Sequence, residues 1–149
     1  MNPIIGLDIV TLDQLRVQRH MRDILTVASD IPGEYWSEQH FLDERPGKFQ
    51  LSQLALQDTR AVGYAVISER APGCAHLHHL IIVRQHRGYG LGGALLHRAT
   101  AVAKQAGHTR MSLKVATANT GARDFYRRHG FVEGEIAGTL IWCETKFCD

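Results

Sequence analysis

The chain has 149 residues, of which 44% are hydrophobic and 21% charged, and these proportions are typical of a soluble globular protein. Its length predicts one compact domain over residues 1–149, since domains commonly contain about 100–150 residues. The formal net charge of +2 is too small to indicate nucleic-acid binding, and 3 cysteines without CxxC spacing exclude a disulfide framework and a zinc ribbon.

The first predicted elements are a strand and a long helix. Ile4 to Val10 has the pattern of a strand, and Thr11 with Gln14 three residues later forms a capping-box pattern that opens the helix. The helix is expected to end near Ser29, before a Pro-Gly break. Its expected buried residues are Leu12, Leu15, Ile24, Leu25 and Ala28.

Turn residues and alternation divide the rest of the chain into further elements. The predicted elements are a short helix capped by Ser37, strands over 49–57, 61–68 and 76–83, a helix over 90–105, a strand over 111–115, a helix over 120–129, and strands near 131–134 and 139–147. Hairpins followed by a βαβα crossover predict an α/β (α+β) fold, with a mixed sheet between helices.

Four glycines stand where the strand over 76–83 passes into the next helix, namely Gly88, Gly90, Gly92 and Gly93. Glycine inside a helix costs about 0.5–1 kcal/mol relative to alanine, so four of them require a reason. The free N–H groups of a first helical turn and the positive end of its dipole form an anion site. Arg84 and Arg87 add positive charge. Close packing of the helix on a strand is the alternative interpretation.

Two common phosphate motifs do not fit this segment. The spacing Gly88-x-Gly90-x-x-Gly93 matches the dinucleotide fingerprint, which also expects an acidic residue about 20 positions later. Lys114 and Val115 stand there instead. A Walker loop requires Gly-Lys-Ser/Thr, whereas Ala94 follows the last glycine.

Two motifs resemble the GCN5-related N-acetyltransferase (GNAT) family. Arg87-x-x-Gly90-x-Gly92, after a strand ending in Leu80-Ile81-Ile82, is similar to the pyrophosphate motif of that family. The second conserved segment of the family resembles Asn119-x-x-Ala122-x-x-Phe125-Tyr126-x-x-x-Gly130-Phe131. The resemblance covers about Leu77 to Phe131. It implies a mixed, mostly antiparallel sheet of about six or seven strands flanked by about four helices.

The resemblance also implies acetyl-coenzyme A as the acyl donor and a primary amine, on a small molecule or a peptide, as the acceptor. The amine would attack the thioester directly, and a backbone N–H near Ile82 would stabilise the oxyanion. For Asn119 a simple helix cap is the alternative role. The residues expected to bind coenzyme A are Leu80, Ile81, Ile82, Arg87, Gly88, Tyr89, Gly90, Leu91, Gly92, Gly93, Asn119, Ala122 and Tyr126.

The expected proton donor to the departing thiolate is Tyr126, a phenol with a pKa of about 10; ordinary packing is the alternative. His76 and His78 are the expected bases, in that order, because an imidazole of pKa about 6.5 readily accepts a proton. Their His-x-His arrangement resembles that of the aralkylamine N-acetyltransferase branch. Strand alternation places both on the face of Leu80 and Ile82, with His79 on the other. A metal site is not expected, since the pair lacks a third ligand at a familiar spacing.

The sequence does not identify the acceptor amine. Trp36, with Glu34 and Glu38 nearby, would attract a cationic amine, or would simply pack on the core, and Trp142 fits either the pocket or the core. A second hypothesis is a non-catalytic acyl-coenzyme A sensor or assembly module. The N-terminus lacks a leader pattern and no stretch is apolar enough to span a membrane, so we expect a cytoplasmic monomer or homodimer that binds neither nucleic acid nor membrane.

Overall fold

Seven strands form one sheet in the computed structural model, which describes residues 6–30 and 36–147. They are β1 (Leu7–Thr11), β2 (Gln53–Gln57), β3 (Arg60–Ala71), β4 (Cys74–Ile82), β5 (Arg110–Ala116), β6 (Val132–Ala137) and β7 (Leu140–Lys146). Their order is β1-β2-β3-β4-β5-β7-β6, and β4 with β5 is the one parallel pair. The predicted mixed, mostly antiparallel sheet is confirmed.

Six α-helices accompany the sheet within the described ranges, where about four were predicted. They are α1 (Gln14–Arg19), α2 (Met21–Ala28), α3 (Glu38–Leu42), α4 (Lys48–Leu51), α5 (Leu91–Gln105) and α6 (Thr120–Arg128), with a 3₁₀ turn over Arg84–His86. One core cluster joins α2 and α3 to one face of the sheet, through Ile24, Phe41 and Tyr64. Another joins α5 to the opposite face, through Leu96 and Leu113.

The single long helix predicted after the first strand is wrong in three details. Thr11 is still in β1, and Asp13 caps α1 by accepting the Arg16 N–H at 2.9 Å. The helix breaks at His20 (φ −106°, ψ 15°), which divides it into α1 and α2. Leu15, expected in the core, is 61% exposed because it lies on the outer side of the short α1. Ile4 and Ile5, predicted to start the strand, lie outside the described residues.

The strand predicted over 49–57 begins later than expected. Lys48 to Leu51 form a helical turn, and β2 starts at Gln53. The turn is fixed by Lys48, whose buried ammonium donates to the main-chain carbonyls of His40, Phe41 and Asp43 at 2.6–2.8 Å. These carbonyls lie at the end of α3, so the lysine caps a neighbouring helix. The alternation of the sequence does not reveal this contact.

A β-bulge interrupts β4 at His78. Val66 of β3 is opposite His79 and Ile67 is opposite Leu77, so His78 is the extra residue. The bulge shifts the alternation beyond it: Leu80 and Ile82 pack with α5, while His79 joins the face of Tyr64. As predicted, the His76 and His78 rings lie together, 4.8 Å apart, and His79 lies opposite Leu80 and Ile82. The prediction that His76 and His78 share the face of Leu80 and Ile82 is wrong, because His78 lies on the Trp36 side with His79.

Beyond this bulge β4 and β5 separate. Their parallel pairing runs from Cys74 opposite Arg110 to Leu77 opposite Leu113 and stops there, although β4 continues to Ile82 and β5 to Ala116. The edge of β4 that faces β5 is thus open from residue 78 to residue 82. A bulge bends its strand and ends pairing, which accounts for the cleft.

Candidate active site

The glycines at the start of α5 leave several main-chain donors free. Gly88 (φ 86°) and Gly90 (φ 82°) adopt left-handed backbone, and a Cβ on either would meet no atom within 4 Å. The first hydrogen bond of the helix runs from the Ala94 N–H to the Gly90 carbonyl at 3.0 Å. The N–H groups of residues 91–93 consequently have no acceptor within 6–30 and 36–147. Free N–H groups at the positive end of a helix dipole are the arrangement that the anion-site prediction requires.

Packing explains the other two glycines. A Cβ on Gly93 would lie 2.9 Å from the His129 ring nitrogen, and one on Gly92 would lie 3.4 Å from the Phe125 ring. Phe125 is part of α6, and His129 directly follows this helix. The packing interpretation is therefore correct for Gly92 and Gly93, whereas Gly88 and Gly90 serve backbone geometry. The close approach ties α6 to the start of α5 and so shapes one wall of the cleft.

Arg87 has a structural role in this structure. Its Nε donates to the Ile82 carbonyl at 2.9 Å and its guanidinium pairs with Asp30 at 3.0 Å. Asp30 also accepts the Arg84 N–H at 3.1 Å. An acidic residue that is distant in sequence thus approaches the basic turn from the end of α2. The side chain of Arg87 thus holds the turn to β4 and α2, and the anion-site prediction depends mainly on the free main-chain donors.

The paired histidines are each held by a serine of a neighbouring strand. His76 Nδ1 lies 2.7 Å from Ser112 Oγ, and His78 Nε2 lies 2.6 Å from Ser68 Oγ. The two rings are 4.8 Å apart. Nε2 of His76 has no partner in the part of the chain that the structure describes, so this nitrogen is available to a ligand. Neither serine carries a sequence signal, because strand pairing across 36 and 10 residues creates these contacts.

Burial lowers the pKa of both histidines. The pKa of His76 falls from 6.5 to about 4, chiefly through desolvation, with the nearby charges of Arg70, Lys114 and Arg45 acting in the same direction. The pKa of His78 also falls to about 4, through desolvation and then through the proximity of His76. Both rings are therefore neutral at pH 7. They can accept a proton, but they are weaker bases than an ordinary imidazole.

The third histidine of the strand belongs to an aromatic wall. His79 Nδ1 lies 2.7 Å from the Tyr64 hydroxyl, and its ring stacks on Trp36 at 5.5 Å between centroids. Trp36 also lies 5.3 Å from Phe41 and 6.3 Å from His78. Trp36 thus packs on the core and borders the histidines at once. Glu34 lies outside the described residues, and Glu38 is exposed at the start of α3.

The second motif forms α6 beside the cleft. Asn119 caps this helix, its side-chain oxygen accepting the Ala122 N–H at 3.1 Å, so the alternative role as a helix cap is confirmed, and the contact with coenzyme A stays a prediction. Tyr126 is half-buried between Phe125 and Phe131, at centroid distances of 5.2 and 5.6 Å. Packing thus accounts for the ring of Tyr126, and its role as an acid stays a prediction.

Three further properties concern the described residues alone. Over 6–30 and 36–147 no three His, Cys, Asp or Glu side chains are grouped to hold a metal ion. Cys74 and Cys143 are buried free thiols; Cys148 lies outside these ranges. No helix in the described ranges has the length and apolarity that a membrane span requires.

The family model for the acetyltransferase (GNAT) family matches residues 16–131, and the chain belongs to this family. An uncharacterized N-acetyltransferase of Methanocaldococcus jannaschii is 39% identical over 62 residues, which cover 42% of this chain and 27% of that protein. N-acetyltransferase 8B of Rattus norvegicus is 29% identical over 105 residues, which cover 68% of this chain and 47% of that protein. The matched regions span less than half the length of either relative.

The fold is also that of a solved acetyltransferase structure. The PaiA N-acetyltransferase from Thermoplasma acidophilum, in complex with coenzyme A, superposes with a TM-score of 0.79. The match covers 95% of this chain and 99% of that chain at 19% identity. At this identity the likeness establishes the architecture, which agrees with the family assignment.

Proposed function

We propose that the chain transfers the acetyl group of acetyl-coenzyme A to a primary amine. The observation that carries the proposal is the arrangement along β4: free main-chain donors follow one end of its open edge, and His76 stands near the other. Residues 76 to 82 span roughly 20 Å at about 3.3 Å per residue. Acetyl-coenzyme A carries its pyrophosphate and its thioester at opposite ends of an extended arm, which suits this spacing.

The residues present fit the donor molecule. The free N–H groups at the start of α5 and the cradle left by Gly88 and Gly90 would hold the pyrophosphate. Apart from the Ile82 carbonyl, which accepts from Arg87, the open edge of β4 over Leu80 to Ile82 offers main-chain groups to the amide-bearing arm, as in strand addition. Because the thioester would lie toward His76, the oxyanion donor would be a main-chain N–H at the bulge end of this edge, near His78, and not near Ile82 as the resemblance implied. Asn119 and Ala122 would line the same cleft from α6.

The acceptor nitrogen attacks the thioester carbonyl, so that an N–C bond forms, the C–S bond breaks and a thiolate leaves. His76 is the first candidate for the base because its Nδ1 is held by Ser112 while its Nε2 is available; His78 is the second. A pKa of about 4 makes proton removal from a free ammonium of pKa about 10 uphill by roughly 8 kcal/mol. The amine therefore enters neutral, and His76 takes the proton as the nitrogen becomes acidic during attack.

Tyr126 would return a proton to the thiolate sulfur from the α6 side of the cleft. The two roles need opposite proton affinities, and the imidazole of His76, neutral at pH 7, is suited to the accepting role. We also propose a cytoplasmic monomer or homodimer, since an odd number of cysteines suits a reducing compartment.

A thiol-release assay tests the proposal. Purified protein, acetyl-coenzyme A and a panel of primary amines and peptide N-termini are assayed between pH 6 and 9, and product mass confirms acetylation. His76→Gln should lower kcat at least tenfold, while calorimetry shows unchanged acetyl-coenzyme A affinity. His97→Gln, an exposed residue of α5, is the matched control. Tight donor binding without turnover on any amine would replace this proposal with the non-catalytic sensor or assembly module.

A further inference from the structure

Cationic side chains gather on the sheet face beside His76. Arg70 at the end of β3 and Lys114 on β5 both lie over the ring of Trp142, at 4.6 and 4.9 Å from its centroid. Trp142 in turn contacts His76 edge-on at 5.6 Å. Lys114 and Trp142 are directly opposite each other in the β5–β7 pairing, so the strands themselves fix this arrangement.

These charges are not neutralised locally. Across residues 6–30 and 36–147, neither Arg70 nor Lys114 forms an ion pair, in contrast with Arg110, Arg123 and Arg127 of the same half of the chain. The nearest carboxylate on this face of β7 is Glu144, opposite Ser112, and it pairs with Arg110 at 3.5 Å. Glu133 pairs with the arginines of α6. The region beside His76 thus keeps an excess of positive charge.

The electrostatics around both histidines are one-sided. Besides burial, three cationic side chains lower the pKa of His76, namely Arg70, Lys114 and Arg45. The charges of Arg45, Lys48 and Lys114 likewise contribute to the lowered pKa of His78, and no carboxylate of the described residues opposes them. Lys48 is already bound by three carbonyls of α3, which leaves Arg45, Arg70 and Lys114 available to a ligand. A polycationic acceptor would be repelled here, at close range and in a partly desolvated site.

We propose that the acceptor is an amine that also carries a carboxylate, and that Arg70 and Lys114 bind this carboxylate while the amine lies at His76. The guanidinium fork of Arg70 suits a bidentate carboxylate, and Lys114 adds a second charge. Because the His76 ring and the Arg70 guanidinium lie 5.6 and 4.6 Å from the same Trp142 ring, they are at most about 10 Å apart, within reach of one small aromatic or amino-acid-like molecule. This inference rests on the proposed acetyltransferase function.

Matched acceptor pairs test the proposal. The first pair is 4-(2-aminoethyl)benzoate and 4-(2-aminoethyl)benzamide, which share the reacting amine and differ only in the charge at the far end. The second pair is the C-terminal amides of Ala-Glu and Ala-Gln, which differ only in the charge of the second side chain. We expect kcat/KM for the acid to exceed that for the amide at least tenfold in one pair, mainly through KM. The preferred pair distinguishes a small-molecule acceptor from a peptide. The preference should shrink in 0.5 M salt, because charge attraction is screened.

Variants assign the preference to the two side chains. In the double variant Arg70→Gln/Lys114→Gln the acid and the amide should react with kcat/KM values within threefold of each other. Lys104→Gln, an exposed lysine of α5, should leave the preference unchanged. Equal kcat/KM for both members of both pairs in the wild type would overturn the proposal, as would an intact preference in the folded double variant. Thermal denaturation verifies that each variant is folded.

A binding measurement separates this inference from the proposed function. Quenching of tryptophan fluorescence by 3-phenylpropanoate, compared with 3-phenylpropanamide, reports the carboxylate site without any turnover. If no amine is acetylated but the acid binds at least tenfold more tightly, and the double variant loses this difference, the carboxylate site stands and the acetyltransferase proposal fails. If amines are acetylated and the acid binds no better than the amide, the carboxylate site is wrong and the enzyme proposal stands.

Discussion

Acid should destabilise the protein through His76 and His78. The pKa of each is lowered from 6.5 to about 4 in the folded state, chiefly by desolvation. Between these values the unfolded chain binds more protons than the folded one, so stability is complete above about pH 6.5 and is lost as the pH falls toward 4. For one group with these two pKa values, the loss between pH 7 and pH 5 is about 2 kcal/mol.

The measurement is urea denaturation of the wild type and of His76→Gln at pH 7 and pH 5. Glutamine keeps a hydrogen-bonding group for Ser112 but carries no titratable proton. The free energy of unfolding should therefore decline by about 2 kcal/mol less in His76→Gln than in the wild type. His97→Gln is the matched control, since this exposed ring is in solvent in both states. An equal decline in wild type and His76→Gln would refute the reasoning, and an NMR titration of the His76 ring would locate the error.

Three further perturbations test other parts of the site. Asp30→Asn removes the ion pair with Arg87, which is half exposed, and should lower the free energy of unfolding by no more than about 1 kcal/mol; a larger loss would show a tighter clamp than the contacts indicate. Tyr126→Phe should lower kcat at least tenfold with acetyl-coenzyme A affinity unchanged, and a retained kcat would remove Tyr126 as the acid. Gly90→Ala places a Cβ at φ 82°, which should cost about 1–2 kcal/mol of stability and weaken coenzyme A binding; calorimetry showing full affinity would argue against the cradle.

The regular features of the fold follow from local sequence. Alternation and turn residues predict the hairpins and the seven-stranded sheet, and Gly88 to Gly93 predicts the start of α5. The two motifs at residues 87–92 and 119–131 predict the family that the comparison establishes. These signals are short-range, so the sequence carries them without knowledge of tertiary contacts.

What the sequence does not reveal arises from contacts between distant segments. Nothing near His20 marks a helix break, and nothing near Lys48 indicates that its ammonium will cap α3. The serines that hold His76 and His78 are brought there by strand pairing. The sequence does not reveal that Arg87 pairs with Asp30, because the two residues are 57 positions apart. Alternation also failed in β4, since a bulge depends on how two strands pair.

His78 contributes to the structure in two ways: its imidazole lies in the site, and its backbone is the extra residue of the bulge. Because His78 is the one unpaired residue between Leu77 and His79, deleting it would leave the side chains of β4 on the faces they now occupy and would restore a regular strand. Replacing it with alanine would instead remove the imidazole and preserve the gap beside β5. The two changes dissect the same position differently. The alanine substitution tests the role of the imidazole, whereas the deletion tests whether the bulge causes the gap between β4 and β5.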